Sequence, residues 1–359
     1  MKRILILSVL ACLVSCIMPC VACTGITLTS KDSCTIVART IEWGGSDLNS
    51  RYVVVPRGYT MQSYLPGGTT DGMKFTARYG YVGLSVEQKE FVAEGLNEAG
   101  LSAGLFYFPN YGKYEDYNPQ YKARSIADLQ LVSWVLGTCS TVDDVIKAVG
   151  EVHVVAIDPR ASTVHWRFTD VSGRQVVLEI VDGKARFYEN PLGVLTNSPG
   201  LEWHLTNLNN YVNLYPGAVQ AQELGKARLA QFGAGAGFLG IPGDVTPPSR
   251  FVRAAFFQAT APVRDTATET VMSAFQILNN FDIPIGVEFA KGSVPCDIPS
   301  ATQWTSATDI CNGKIYFRTM YDSRIRCIDL RTIDFSKVTY RAELLDRNKL
   351  QPVETVVID

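Results

Sequence analysis

Short apolar runs that end at turn residues recur along this 359-residue chain in three groups. Runs of this kind are typical of β-strands, and corners such as Gly67-Gly68 and Asp71-Gly72 separate them. We predict strands over residues 25–28, 35–39, 52–55, 74–79, 91–96 and 101–106, then 163–168, 175–180, 184–188 and 193–195, and finally 302–306, 314–318 and 324–328.

Helical patterns separate these groups. Residues 126–135 repeat apolar side chains at helical spacing, and Thr141 with Asp144 predicts a capping box that opens a helix over 142–149. A more helical stretch covers 201–280 and is interrupted by a Gly-rich loop at 233–243. Strand groups that alternate with helices favour an α+β fold of two antiparallel sheets packed face to face, with the helices outside.

The first 22 residues have the pattern of a secretion signal. Lys2 and Arg3 precede an apolar run over 4–14, which is too short to span a bilayer, and small residues follow at Val21 and Ala22. Cleavage after Ala22 would leave Cys23 as the first residue. We therefore predict a secreted or periplasmic protein with one domain over 23–359, because no linker marks a second boundary.

Leu13-Val14-Ser15-Cys16 also resembles a bacterial lipoprotein signal. In that alternative a lipid anchors the chain at Cys16, and seven residues remain in front of Cys23. Activity that depends on a free Cys23 would then need a further trimming step.

Composition excludes several classes of protein. The full chain has a net charge of −2 and 19% charged residues, so nothing indicates a surface for nucleic acid. After Val14 no apolar run reaches the roughly 18 residues of a membrane helix, so no membrane span is expected. His153, His165 and His204 lack ligand spacing and are expected to be structural or surface residues. We therefore expect neither a zinc site nor any other metal.

Cysteine usage leaves the disulfides open. Six of the nine cysteines follow the signal, and reserving Cys23 for chemistry leaves an odd number, which argues against a fully paired framework. A single bridge among three of the remaining five is one option. Those three are Cys296, Cys311 and Cys327, and the other two are Cys34 and Cys139.

Residues 235–240 match GxGxxG, the glycine pattern of dinucleotide sites. That fingerprint requires a strand before it and a helix after it. Here a polar, helix-like segment over 222–231 precedes it, and Pro242-Gly243 follows. We therefore predict a flexible loop and no nucleotide cofactor.

An N-terminal cysteine would carry a nucleophile and a base on one residue. A free α-amine titrates near about 7.7–8.0 and a thiol near about 8.5, so the amine can accept the thiol proton at neutral pH. The alternative is a small buried cysteine without a chemical role.

Four residues offer partners for Cys23. Arg39 closes a strand that could pair with the Cys23 strand in a hairpin, and its charge would favour the thiolate. Glu42 could hold the α-amine, and Asn197 follows a strand where its side-chain N–H could reach an oxyanion. Arg250 offers a second cation at the start of a helix. Taken singly, Arg39 and Arg250 are equally compatible with ion pairs and Asn197 with a turn.

Six ordered segments together resemble the choloylglycine hydrolase family, which contains bile salt hydrolases and penicillin V acylases and belongs to the N-terminal nucleophile hydrolases. The resemblance covers nearly all of the chain after residue 22. The segments are 23–25, 38–43, 94–101, 195–199, 239–244 with 249–253, and 280–286.

The resemblance implies a four-layer αββα sandwich, a homotetramer and no cofactor. It implies that Cys23 is the nucleophile and, through its amine, the base. Arg39 would lie against the thiol, Asn197 would donate to the oxyanion, and Arg250 would support the site.

Two positions depart from the family pattern or vary within it. Glu42 stands where the family usually has Asp. Its side chain is longer by one methylene, so its carboxylate can hold the α-amine only if the backbone shifts. Tyr107 stands where many bile salt hydrolases have Asn and some penicillin V acylases have Tyr. The backbone N–H there serves the oxyanion, and the side chain would contact substrate.

The implied reaction is hydrolysis of a linear amide in a small molecule through an acyl-thioester. Conjugated bile salts are the first expected substrates, with penicillin V or other N-acyl amides as the alternative. A secreted binding protein that keeps the fold without catalysis is a different class of hypothesis.

Overall fold

The computed structural model describes residues 21–157 and 162–358. Its strands in chain order are Val21–Thr29 (β1), Thr35–Trp43 (β2), Arg51–Val55 (β3), Thr60–Gln62 (β4), Lys74–Thr76 (β5), Tyr81–Ser85 (β6), Val92–Asn97 (β7), Ser102–Tyr107 (β8), Ser125–Ala127 (β9), His153–Val155 (β10), Val164–Thr169 (β11), Gln175–Val181 (β12), Lys184–Glu189 (β13), Gln222–Leu224 (β14), Ala227–Leu229 (β15), Thr302–Asp309 (β16), Lys314–Thr319 (β17), Arg326–Asp329 (β18) and Arg341–Leu344 (β19). Its α-helices are Leu131–Thr138 (α1), Val142–Val149 (α2), Leu201–Asn207 (α3), Pro247–Ala259 (α4) and Ala267–Leu278 (α5).

Two antiparallel sheets form the centre of the fold. The first has the order β1-β2-β16-β17-β18, and the second has the order β13-β12-β11-β8-β7-β6-β3-β19. Strand β1 contacts β8 and β17 contacts β7, so the sheets pack face to face. Large buried side chains such as Trp166, Phe106 and Trp304 belong to the hydrophobic core that these sheets form.

Helices cover the outer faces of both sheets. Helices α4 and α5 contact β1 of the first sheet, and α1 contacts β7 and β8 of the second. Helix α2 contacts β11. The α+β fold with a four-layer αββα sandwich is therefore confirmed.

The predicted helix over 126–135 is only partly correct. Ser125–Ala127 instead pairs in parallel with His153–Val155, and the α-helix begins at Leu131. A buried strand and a buried helix both give a continuous apolar run in the sequence, so periodicity alone cannot distinguish them. The next helix, Val142–Val149, has the predicted capping box of Thr141 and Asp144.

The helix-like pattern predicted over 222–231 is wrong. This segment forms the exposed hairpin of β14 and β15. Gly225 lies at φ +60° in the turn, a conformation that glycine adopts without a steric penalty. The GxGxxG segment that follows has a short 3-10 turn, Ala236–Phe238, and no strand enters it.

The predicted signal peptide lies almost wholly at residues 1–20, outside the described residues, and so does Cys16. The described chain begins at Val21, inside β1. Within 21–157 and 162–358, no helix combines the length and apolar character needed to cross a membrane.

Candidate active site

The β1–β2 hairpin places Cys23 beside the strand that carries Arg39, as the sequence predicts. Cys23 pairs with Ile41, and Gly25 pairs with Arg39. The hairpin turns after Ser30, whose N–H donates to the carbonyl of Cys34 at 3.0 Å.

Gly25 is required by a close approach between the two sheets. A Cβ on this residue would lie 2.9 Å from Phe106 Cζ and 3.0 Å from Arg167 Nη1. Its backbone also exchanges hydrogen bonds with Leu195, at 2.6 and 3.1 Å. Gly25 thus brings the 195–197 segment next to Cys23.

The Cys23 thiol is buried among charges of both signs. Burial raises its pKa, with a further upward contribution from Glu42. The guanidinium groups of Arg39 and Arg250 and a hydrogen bond from the Tyr107 backbone oppose this and lower the pKa. The expected effect of Arg39 is therefore present, but in this uncleaved chain burial outweighs it.

Asn197 joins three parts of the site. Its Oδ1 accepts from the Cys23 backbone N–H at 2.8 Å and from Arg250 Nη2 at 2.7 Å. Its Nδ2 donates to the carbonyl of Tyr107 at 2.8 Å. One of the two amide N–H groups is thus engaged with the protein, whereas the sequence analysis assigned the side chain to the oxyanion alone.

Arg250 lies in the first turn of α4 and is completely buried. Its Nη1 donates to the carbonyl of Cys23 and, at 2.8 Å, to Thr24 Oγ1, while its Nε donates to Val245 at 2.8 Å. A planar guanidinium suits this role because it presents several donors in a rigid fork. Arg250 therefore fixes the backbone of Cys23 and the amide of Asn197 together.

Arg39 is also completely buried, at the interface of the two sheets. Its guanidinium lies 4.0 Å from the centroid of the Phe106 ring and donates to the carbonyls of Ala93 and Leu105. A carboxylate oxygen of Glu94 is 3.8 Å from its Nη1. These contacts hold the buried cation near Cys23.

Glu42 lies opposite Ala22 in the strand register, next to the bond that precedes Cys23. Its Oε1 accepts from Thr302 Oγ1 at 3.3 Å, and its Oε2 has no hydrogen-bond partner among the described residues. Burial raises the pKa of Glu42 to about 8. The predicted bond to the Cys23 nitrogen is not made here, because Asn197 accepts that N–H.

Ala22 is buried in front of Cys23. It packs in a small apolar cluster with Ile283 and Ala301, which Val245 and Ile285 border. While Ala22 is attached, the Cys23 nitrogen is a peptide amide and cannot act as a base. The site as it stands can orient a thiol but lacks the α-amine.

Tyr107 ends β8 with its side chain half-buried. The Tyr107 backbone faces the Cys23 thiol and the Asn197 amide at the same time. The N–H position predicted for an oxyanion donor is thus next to the sulfur.

The polar groups behind Asn197 are not predicted from the sequence. His204 Nε2 lies 2.9 Å from the Asn197 carbonyl oxygen, and His165 Nε2 lies 3.1 Å from that of Thr196. Glu179 lies beside His165 and accepts from the N–H of Leu201 at 2.8 Å. Both histidines are completely buried, in agreement with the structural interpretation, and nothing in their spacing indicates a link to Asn197.

One group of side chains with metal-ligand spacing occurs in the described chain, namely Cys34, Asp309 and Cys311. It lies at the turn end of the hairpin. Thr29, which pairs with Thr35, is six residues from Cys23, so this group is about 20 Å from the site at roughly 3.3 Å per residue. It is separate from the candidate active site.

Comparison with known proteins identifies the family of the chain. Residues 23–344 match the family of linear amide C–N hydrolases, choloylglycine hydrolase family. A bile salt hydrolase/transferase from Clostridium perfringens is 31% identical over 86% of this chain and 92% of its own length. A penicillin V acylase from Pectobacterium atrosepticum is 24% identical over 87% of this chain and 81% of its own length.

Solved structures show the same fold. A conjugated bile acid hydrolase variant from Clostridium perfringens superposes with a TM-score of 0.78 and 28% identity, over 93% of this chain and all of that one. A penicillin V acylase from Agrobacterium tumefaciens has a TM-score of 0.70 at 24% identity, over 91% and 92% of the two chains. The chain therefore belongs to the choloylglycine hydrolase family, whose members are linear amide C–N hydrolases.

Proposed function

We propose that this chain is exported, cut after Ala22 and then acts as a cysteine amidohydrolase on conjugated bile salts. The observation that carries the proposal is the convergence of the Tyr107 backbone, Asn197 and Arg250 on Cys23. The family match also begins at residue 23. An oriented thiol with backbone and amide donors beside it suits acyl transfer.

In the first step the freed α-amine accepts the thiol proton, and the Cys23 thiolate attacks the amide carbonyl of the substrate. The Tyr107 N–H and an N–H of Asn197 stabilise the oxyanion of the tetrahedral intermediate. The buried charges of Arg39 and Arg250 favour the thiolate.

In the second step the C–N bond breaks, and the α-ammonium gives its proton to the leaving amine. A thioester on Cys23 remains. Water attacks this thioester with the amine as general base, and the acyl acid leaves with the thiol restored. Glu42 holds the α-amino group whenever it is protonated, because its unpartnered Oε2 lies opposite the residue that cleavage removes.

Removal of Ala22 both creates the amine and opens space beside it. Ala22 is paired within β1 and buried, so the bond before Cys23 is inaccessible in the folded chain. Cleavage therefore takes place during export, before β1 joins the sheet. Mass spectrometry of exported protein should show a chain that starts at Cys23 without lipid.

A mature chain with a different N-terminal residue would imply a different localisation or function. A dominant species that carries lipid on Cys16 would contradict the periplasmic or secreted assignment and make activity depend on later trimming. A stable mature chain that starts anywhere except Cys23 would instead favour a binding protein without catalysis.

Bile salts come first because the curated relatives at about 30% identity or more are mainly named for bile salts or conjugated bile acids. Penicillin V is the second candidate. Its support is Tyr107, whose backbone is next to the thiol and whose side chain is half-buried. An aromatic ring at this position suits an aryloxyacetyl group better than a steroid.

Tyr107→Asn distinguishes the two substrates. The ring can contact the acyl group, whereas the backbone N–H survives the change, so the variant should alter preference more than catalysis. We expect the kcat/KM ratio of a taurine-conjugated bile salt to penicillin V to rise by about 10- to 100-fold, the effect of roughly 1–3 kcal/mol in a pocket. Glu42→Ala should lower kcat/KM by the same factor for both substrates. If Tyr107→Asn lowered kcat/KM equally for both substrates while Glu42→Ala changed their ratio, the roles would be reversed. Glu42 would then set the substrate preference, and Tyr107 would serve the shared chemistry.

The mature chain assembles as a homotetramer in this proposal. Large apolar side chains that are exposed around the β14–β15 hairpin support contact between copies, and they are Leu224, Leu229 and Phe232. Light scattering coupled to gel filtration should give four times the mass of the chain, and a monomer would contradict this part.

A further inference from the structure

The turn end of the β2–β16 ladder brings two cysteines together. Asp309 pairs with Ile36, and the N–H of Ile310 donates to the carbonyl of Thr35 at 3.2 Å. Extended by one step beyond the last recorded pair, this antiparallel register places Cys311, in the turn after β16, opposite Cys34. Opposite residues in such a pair have Cα atoms about 4.5–5.5 Å apart, which lies within the span of a disulfide.

The side chains converge as the register requires. The Cys34 thiol donates to Asp309 Oδ1 at 3.0 Å. The sulfur of Cys311 lies within 4.8 Å of the Cys34 sulfur and of a carboxylate oxygen of Asp309. Asp309 is itself held by Asn312, whose N–H and Nδ2 donate to its two oxygens at 3.0 and 2.8 Å. Both cysteines are free thiols in this structure.

The two thiols differ in access to solvent. Cys34 is 3% exposed, whereas Cys311 is exposed after the end of β16. Burial and the hydrogen bonds with Cys311 and Asp309 raise the pKa of the Cys34 thiol. A reagent from solvent therefore meets Cys311 first, and Cys34 reacts only with a partner that is already next to it.

We propose that Cys34 and Cys311 form a redox pair, which closes to a disulfide by exchange with a small-molecule disulfide such as oxidised glutathione. Cys311 loses its proton to solvent and attacks the small disulfide, which gives a mixed disulfide and releases one small thiol. Cys34 passes its proton to Asp309 and attacks the Cys311 sulfur, which releases the second small thiol. One disulfide is reduced for each disulfide formed.

The closed bridge would join the β1–β2 turn to the β16–β17 turn, which are far apart in sequence. A bridge that closes so long a loop removes much of the freedom of the unfolded chain. Its effect would fall on stability rather than on turnover, because the pair lies at the far end of the hairpin from Cys23. Formation of this bridge needs neither amide hydrolysis nor export, so it can be measured in purified protein.

The test starts from protein without residues 1–22, fully reduced and then incubated with oxidised glutathione. Remaining thiols are blocked with N-ethylmaleimide in denaturant, and the digest is mapped by mass spectrometry. We expect one linked peptide pair that contains Cys34 and Cys311, and a Tm higher by about 5 °C or more than that of the reduced protein.

Two exposed cysteines provide matched variants. Cys311→Ser should abolish the linked peptide and the Tm difference between oxidised and reduced protein, while Cys296→Ser should leave both unchanged. A stable glutathione adduct on Cys311 with Cys34 still blocked by N-ethylmaleimide would overturn the proposal. So would a bridge between Cys311 and Cys327, or one zinc ion per chain that protects both thiols from oxidation.

Discussion

Cys23 and Cys34 lie at opposite ends of one hairpin, and both are buried, yet they face opposite charges. Cys23 is 2% exposed and lies near two guanidinium groups and a backbone N–H, which lower its pKa against the opposing effect of Glu42. Cys34 is 3% exposed and donates to the carboxylate of Asp309. Burial raises both thiol pKa values, so burial does not distinguish them. The neighbouring charges do, because cations favour a thiolate and a carboxylate opposes it.

The same comparison extends to the neighbouring strands. At the Cys23 end, Arg250 and Asn197 reach in from α4 and the 195–197 segment to hold backbone groups. At the Cys34 end, the contacts come from the adjacent β16 and its turn. The first end gathers a helix and a loop around a reactive group, whereas the contacts at the second end come from one adjacent strand and its turn.

The largest effect should separate the two cysteines. Cys23→Ala in correctly processed protein should lower kcat by at least about 10⁴-fold, because nucleophile and thioester are both lost. Cys34→Ser keeps a donor for Asp309 and should retain the parent activity. Steady-state hydrolysis of a taurine-conjugated bile salt and of penicillin V measures both variants, and substantial turnover by Cys23→Ala would exclude the mechanism.

Substitution of Asn197 should have the next largest effect on kcat. Asn197→Ala removes the proposed oxyanion donor and the acceptor of the Cys23 nitrogen, so kcat should fall by about 10²–10³-fold. Asn312→Ala, at the Cys34 end, is the control and should leave kcat unchanged. An increase in KM with kcat unchanged would show that Asn197 binds substrate without stabilising the transition state.

The sequence predicts the features of this site that depend on residues close together along the chain, and it does not predict the contacts between distant segments. The hairpin of β1 and β2 and the capping box at Thr141 are local patterns, and both are found in the structure. The bonds of Asn197 to the Cys23 nitrogen and the Tyr107 carbonyl depend on how sheets and loops pack. The opposition of Cys34 and Cys311 follows from a strand register that no local pattern specifies.

Glu42 should have a smaller effect. Glu42→Gln removes the charge that holds the α-ammonium, and a charge-assisted hydrogen bond of about 1.5–3 kcal/mol corresponds to a 10- to 100-fold loss in kcat/KM. The loss should be equal for bile salts and penicillin V. Glu42→Asp should recover part of it, since a carboxylate returns. A shift in the substrate ratio would instead place Glu42 in the substrate pocket.

His204 should have the smallest effect, on stability and its dependence on pH. Burial lowers the pKa of His204 to about 4; the hydrogen bond with the Asn197 carbonyl raises it and the neighbouring His165 lowers it. The unfolded chain has a pKa near 6.5, so the stabilisation is present above pH 6.5 and is lost as pH falls towards 4. The loss should be at most about 3 kcal/mol.

Urea unfolding at pH 7, 6, 5 and 4 measures this dependence. His204→Gln keeps an N–H for the Asn197 carbonyl but does not titrate, so its stability should fall less steeply from pH 6.5 to 4. A parallel decrease in both proteins would assign the acid sensitivity to other groups.

The central claim is that Cys23 becomes a nucleophile with its own base only when its amine is free. The direct measurement compares two purified proteins, one that starts at Cys23 and one that retains Ala22 in front of it, with both N-termini verified by mass spectrometry. Thioester formed on Cys23 is measured by rapid acid quench after mixing with substrate. We predict acylation in the first protein and none in the second, in which the nitrogen is an amide that donates to Asn197. Acylation at equal rates in both would contradict the account.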